Sequence, residues 1–278
     1  ITRDVVLRYG DAMTTLPGGL PLKEQMLQGL LANLDRLAAE AGDDPVWLAD
    51  LAAAYARLAE VQGNDTGLSV NKQAEAVKNA DRAIALAERA WPQRRGDARF
   101  VDAYAEALQV RAQTQRAAGQ PAQGIGLLER AVNLLDQALP LQQGAERRAL
   151  RLRRGAVLIT HAQFHDQQSI PSLDLPEKAL ALYARSEAEL LALDAEQADL
   201  ETGNLLASLY AGRAITHGRL SNLARARADA EQALRYRQRA VAAEPGNVAW
   251  RDRLVNDATN AGVILLRAGE PGPALQAT

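Results

Sequence analysis

The chain has 278 residues, 47% of them hydrophobic but only 4% aromatic, with a net charge of −2 and no cysteine. That length admits one long repeat array or two ordinary domains, with a core built mainly from Leu, Ala and Val. The charge balance gives no reason to expect a nucleic-acid partner. The lack of cysteine excludes disulfides, thiol catalysis and thiolate metal sites, and it suits an oxidising compartment. Runs of β-branched residues bounded by turns are nearly absent, which argues against a sheet. No apolar stretch approaches the roughly 18–20 residues of a membrane span. The chain opens on Ile1 with no basic-then-apolar leader and reads as a piece of something longer.

Taken in chain order, an opening stretch ends at the turn Leu16-Pro17-Gly18-Gly19. Met26, Leu27, Leu30, Leu31, Leu34, Leu37 and Ala41 then recur at helical spacing, and Gly42 stops that helix. Asp43-Asp44-Pro45 supplies an N-cap and a first turn for the next helix. Five helix pairs are expected beyond it: 45–62 with 70–91, 97–118 with 121–139, 145–166 with 174–194, 196–219 with 222–243, and 248 onward, the last interrupted at Thr278. Gly, Pro and Asn punctuate the joints. First helices recur about every fifty residues, and a period in this range signals a solenoid, because one pair alone cannot bury both of its apolar faces. The domains are accordingly 1–44, an N-terminal segment with a capping helix, and 45–278, a single continuous array.

Small residues recur in the first helices at Ala52, Ala112, Gly155, Gly212 and Gly262, with Tyr55, Leu158, Ile215 and Leu265 three further on. Ala76, Gly124, Ala179, Ala233 and Ala274 stand near the starts of the second helices.

Few residues suggest chemistry. His161 and His165 are four apart on one helix beside Asp166, a spacing that places two imidazoles on one face. The segment lacks the Glu of a zinc protease, so ordinary helix histidines are the simpler reading. Arg147, Arg148, Arg151, Arg153 and Arg154 circle their helix, as do Arg225, Arg227, Arg235, Arg237 and Arg239 theirs, and local ion pairs such as Glu231 with Arg235 account for them. Leu16-Pro17-Gly18-Gly19 has no lysine and is a turn rather than a phosphate cradle. Asn64-Asp65-Thr66-Gly67 lacks the spaced carboxylates of a calcium loop. Trp47, Trp91 and Trp250 stand near helix ends, where they cover junctions.

Ala261-Gly262, Leu265, Gly269-Glu270-Pro271 and Ala274-Leu275, together with Ala240-Val241 and Pro245, resemble the tetratricopeptide repeat. The period here exceeds that family's usual ~34 residues. The resemblance implies an all-α superhelical solenoid of antiparallel helix pairs, with a concave groove lined by first helices. Carrying the register across puts Arg57, Gln109, Gln113, Arg116, Arg213, His217 and Asn256 on that groove, as donors to a peptide's carbonyls and carboxylates.

A second resemblance rests on Leu16-Pro17-Gly18-Gly19, Leu34-Asp35-Arg36-Leu37-Ala38, Ala41-Gly42-Asp43-Asp44-Pro45, Leu51-Ala52-Ala53-Ala54-Tyr55 and Val61-Gln62-Gly63-Asn64. These runs are similar to the region after the membrane span of some bacterial Hanks-type serine/threonine protein kinases. They imply a periplasmic sensor domain that binds a protein or peptide. None of the kinase's own catalytic motifs occurs in the chain, so no catalytic residue, cofactor or metal is expected in it. The alternatives from other classes are a free-standing cytoplasmic adaptor and a metal-dependent hydrolase using His161 and His165. A homodimer is compatible with each.

Overall fold

The computed structural model describes residues 29, 31–38, 40, 42–63, 73–167 and 170–267. The turn at 16–19, the loop at 64–67 and the partner helix expected after Gly269 lie outside them. Among the described residues there is no strand. After a helical stretch at 31–38 come α1 (Pro45–Gly63), α2 (Gln73–Arg94), α3 (Ala98–Ala117), α4 (Pro121–Ala138), α5 (Gly144–His165), α6 (Pro176–Glu196), α7 (Leu200–Arg219), α8 (Leu223–Ala243) and α9 (Val248–Arg267). A short 3-10 turn, Leu139–Leu141, follows α4.

The helix starts follow from local chemistry. Asp44 Oδ1 accepts the Val46 amide at 2.8 Å, and Pro45 fills the first position, where no donor is needed. Asp97 caps α3 by accepting from the Arg99 and Phe100 amides, and Asp199 caps α7 by accepting from Thr202 at 2.7 Å. Gly119 and Gly144, at φ 77° and 52°, make left-handed turns before α4 and α5. The expected helix at 174–194 begins at Pro176 instead, because the preceding loop folds back: the Leu173 and Leu175 amides donate to the Phe164 and His165 carbonyls.

The chain divides into two compact units, residues 1–153 and 154–278, with the boundary inside α5. In the first, α1 packs on α2 and α3 on α4, and α3 also meets α1 and α2. Ala76, Ala80, Ala83, Ala87 and Ala90 of α2 are all fully buried. Their alternating spacing of four and three is one helical stripe, and short side chains there let the α1 and α2 axes come close. Tyr55 of α1 and Tyr104 of α3 are each 1% exposed.

In the second unit α7 packs on α6 and α8, and α9 packs on α8. The α5–α6 approach is set by Gly155: a Cβ there would stand 2.8 Å from Leu190 Cδ2, and Ser186 Oγ donates to the Gly155 carbonyl at 3.0 Å. The small positions Ala52, Ala112, Gly155 and Gly262, and the large ones Tyr55, Leu158 and Leu265, are buried; Gly212 and Ile215 are half-buried.

The period is written in side-chain bonds. Arg82 donates to Asp35, Gln142 to the Gly96 carbonyl, Arg153 to Asp102 and Arg253 to Asn204, across separations of 47, 46, 51 and 49 residues. The first bond ties the first pair to the 31–38 stretch, and each of the others ties one pair to the next.

Candidate functional site

The first unit has a groove of about 490 Å³ to which α1, α3 and α5 each present one face. The α1 face runs Val46, Ala49, Asp50, Ala53, Ala54 and Arg57, at the three-and-four spacing of one helix side. Ala98 and Ala103 of α3 and Ala145 and Ala149 of α5 continue the lining. Alanines here hold the helix while leaving the space above it open. Five carboxylates also line the groove (Asp50, Asp97, Asp102, Glu106 and Glu146), against three guanidiniums, those of Arg57, Arg94 and Arg99.

Most of these charges are engaged. Arg94 pairs with Asp97, whose Oδ1 also caps α3. Arg153 grips Asp102 with two bonds, Nε at 2.7 Å and Nη2 at 3.1 Å. Arg57 donates to Glu60. Glu106, its side chain 16% exposed, stands between the two committed guanidiniums, 4.0 Å from Arg57 and 3.9 Å from Arg153. These distances are beyond hydrogen-bond range. Burial pushes the Glu106 carboxyl up to about 7; Arg153 pulls it down, and Glu60 and Asp102 push it back up. Burial works against the charge on Arg153, but Asp102 and Glu106 outweigh it and hold the guanidinium protonated.

Of the residues expected on a groove, Arg57 lines this one. Gln109 and Arg116, half-buried, and Gln113, exposed, lie further along α3 and are not part of its wall. In the second unit, Arg213 is held by Glu187 at 2.6 Å and Asp229 at 2.8 Å. His217 is 7% exposed, 4.0 Å from Asp229, and burial lowers its pKa. Asn256 is exposed on α9. A hollow of about 190 Å³ in that unit is bordered by Asp194, Asp199, Tyr236 and Arg239.

His161 and His165 stack with ring centroids 5.0 Å apart, both 7% exposed. Asp166 pairs with Arg219. Among the described residues no group of three or more His, Asp or Glu side chains is placed to hold a metal ion. The run at 147–154 is tied mainly to other helices rather than along its own: Arg153 to Asp102 of α3 and Arg154 to Glu189 of α6, with Arg147 donating to the Leu139 carbonyl. Glu231 accepts from Arg227 at 2.9 Å, on the preceding turn, rather than from Arg235. Arg237, 3% exposed, is tied to Asp257 at 2.9 Å. Trp91 covers the α2–α3 junction, 6.4 Å from Phe100 and 6.1 Å from Tyr104.

Sequence reasoning missed Asp102, Glu106 and Glu146. The signal available was the recurrence of Asp102, Glu106 and Arg153 about one period apart. No protein-family model and no curated protein matches the chain. No described helix is long and apolar enough to cross a membrane.

Proposed function

We propose that this chain is a docking domain of tetratricopeptide type, binding a protein or peptide in the groove of α1, α3 and α5. We place it in the periplasmic sensor region of a bacterial Hanks-type serine/threonine kinase. The observation that carries the docking reading is the alanine-lined face shared by three successive first helices, with ionised side chains along it. Stacked helix pairs use such surfaces to hold extended segments. The buried small-then-large positions and the bonds one period apart support the repeat assignment. The kinase assignment is supported by the resemblance over residues 1 to about 92.

The test is affinity capture from a periplasmic fraction with three baits: wild type, Ala53→Trp and Ala149→Trp. Both alanines line the groove and neither is buried, so an indole there fills the groove without entering the core. The captured partner should disappear with both variants while their helicity is unchanged. Retention by both overturns the docking reading. Coding sequence upstream of Ile1 should specify an apolar span preceded by kinase motifs; kinase motifs missing from it would leave a free-standing adaptor.

A further inference from the structure

We propose that the groove of α1, α3 and α5 takes an extended peptide segment bearing a lysine or arginine side chain, seated against Glu106 with small residues against the alanine wall. This rests on the docking reading above and specifies its occupant.

Charge is the first ground. The lining carries two more carboxylates than guanidiniums, and the imbalance is concentrated on one residue. Three carboxylates, Glu60, Asp102 and Glu106, share two guanidiniums, Arg57 and Arg153. Arg57 is bonded to Glu60 and Arg153 to Asp102. Among the described residues Glu106 has no hydrogen-bond partner at the groove wall, and its side chain is 16% exposed. A carboxylate so placed has lost most of its water without gaining a donor. An entering ammonium or guanidinium supplies that donor as a charge-assisted bond. Glu146 on α5 has no ion-pair partner among the described residues and offers a second carboxylate at the groove.

Size is the second ground. The α1 wall from Val46 to Arg57 is about 16 Å long at 1.5 Å per residue. That matches roughly five residues of extended chain. Alanines on all three faces leave room there for a backbone with short side chains.

Protonation links to occupancy. The groups facing Glu106 are Arg57 and Glu60 of α1, Asp102 of its own helix and Arg153 of α5, and its carboxyl titrates near 7 in the empty groove. A cation binds the ionised form. Binding therefore strengthens as pH rises from 6 to 8, by about tenfold, and releases a proton.

The experiment is selection of displayed random heptapeptides on the whole chain at pH 8 and low salt, followed by titration of synthetic copies. The expected result is peptides enriched in Lys or Arg that bind about tenfold or more weakly to Glu106→Gln. They should also lose the pH dependence in that variant and fail to bind Ala53→Trp and Ala149→Trp. Melting curves check that each variant folds. Peptides blocked by both tryptophans but lacking basic residues, or indifferent to Glu106→Gln, overturn the basic occupant and leave the docking reading standing. No selected peptide, or peptides indifferent to both tryptophans, overturns the docking reading itself.

Discussion

His161 and Glu106 titrate in opposite directions from their ordinary values, and each shift has a consequence for stability. Burial, then the charges of His165 and Arg185, push the His161 pKa down to about 4, whereas an unfolded chain protonates near 6.5. The unfolded state thus binds the extra proton first. The stability from this residue is complete above pH 6.5 and is lost as pH falls toward 4, by about 1.4 kcal/mol per pH unit. The stability of wild type relative to His161→Phe should therefore shrink from pH 7.5 to 6 to 5 in urea titrations of the two chains, which carry the same Glu106 contribution; a difference that stays constant with pH removes the His161 assignment. Glu106 has the reverse sign. Its folded pKa is raised to about 7, so its contribution is complete below the ordinary carboxyl range and is lost as pH rises through 7. Glu106→Gln should therefore be more stable than wild type at pH 8, by on the order of 1 kcal/mol, with the gain vanishing near pH 4. Equal melting curves at pH 8 would remove that charge penalty. A residue that costs stability while lining a groove is the pattern expected where function has set the side chain.

Among the elements, the α5–α6 contact gives a direct test of the packing. A Cβ on Gly155 would stand 2.8 Å from Leu190, which is fully buried and has little room to yield. Gly155→Val should cost about 1–3 kcal/mol by overpacking, partly recovered by Leu190→Ala in the same chain. Thermal melts of the single and double variants measure this, and a neutral single variant would show that the helices move apart freely. The helices were legible in the sequence because their ends carry their own chemistry: Gly42, Asp44-Pro45, Gly119, Pro121 and Asn247 act within a few residues. The start at Pro176 was less legible, since it depends on Leu173 and Leu175 reaching back to the end of α5. The groove was legible only at Arg57. Its alanines read as ordinary helix formers, and Glu106 becomes distinctive only once Arg57 and Arg153 are committed elsewhere. That commitment joins residues about fifty apart, beyond any local pattern.

At the scale of the whole molecule, the same periodic bonding shapes how the fold comes apart. Most helix contacts join neighbours along the chain, and others, α1 with α3 and α7 with α9, reach one helix further, so stability is a sum of local terms rather than one shared core. The two compact units, 1–153 and 154–278, each have their own buried set, and chains of this kind depart from all-or-none unfolding. Tryptophan positions make this measurable. Trp91 reports the first unit from its cluster with Phe100 and Tyr104, and Trp250 the second from its indole bond to Glu244 at 2.8 Å. A Trp47→Phe, Trp250→Phe chain leaves Trp91 as the only tryptophan, excited selectively over the tyrosines at the red edge, and a Trp47→Phe, Trp91→Phe chain leaves Trp250. Urea transitions followed by fluorescence should have different midpoints in the two chains, with circular dichroism spanning both. The apparent slope against urea should fall below that of a single cooperative domain of 278 residues. Coincident midpoints with the full slope would mean that the continuous α5 couples the units into one folding block. Adding a basic peptide that fills the groove separates these cases further. It should raise the Trp91 midpoint alone if the units unfold independently, and both midpoints together if they do not.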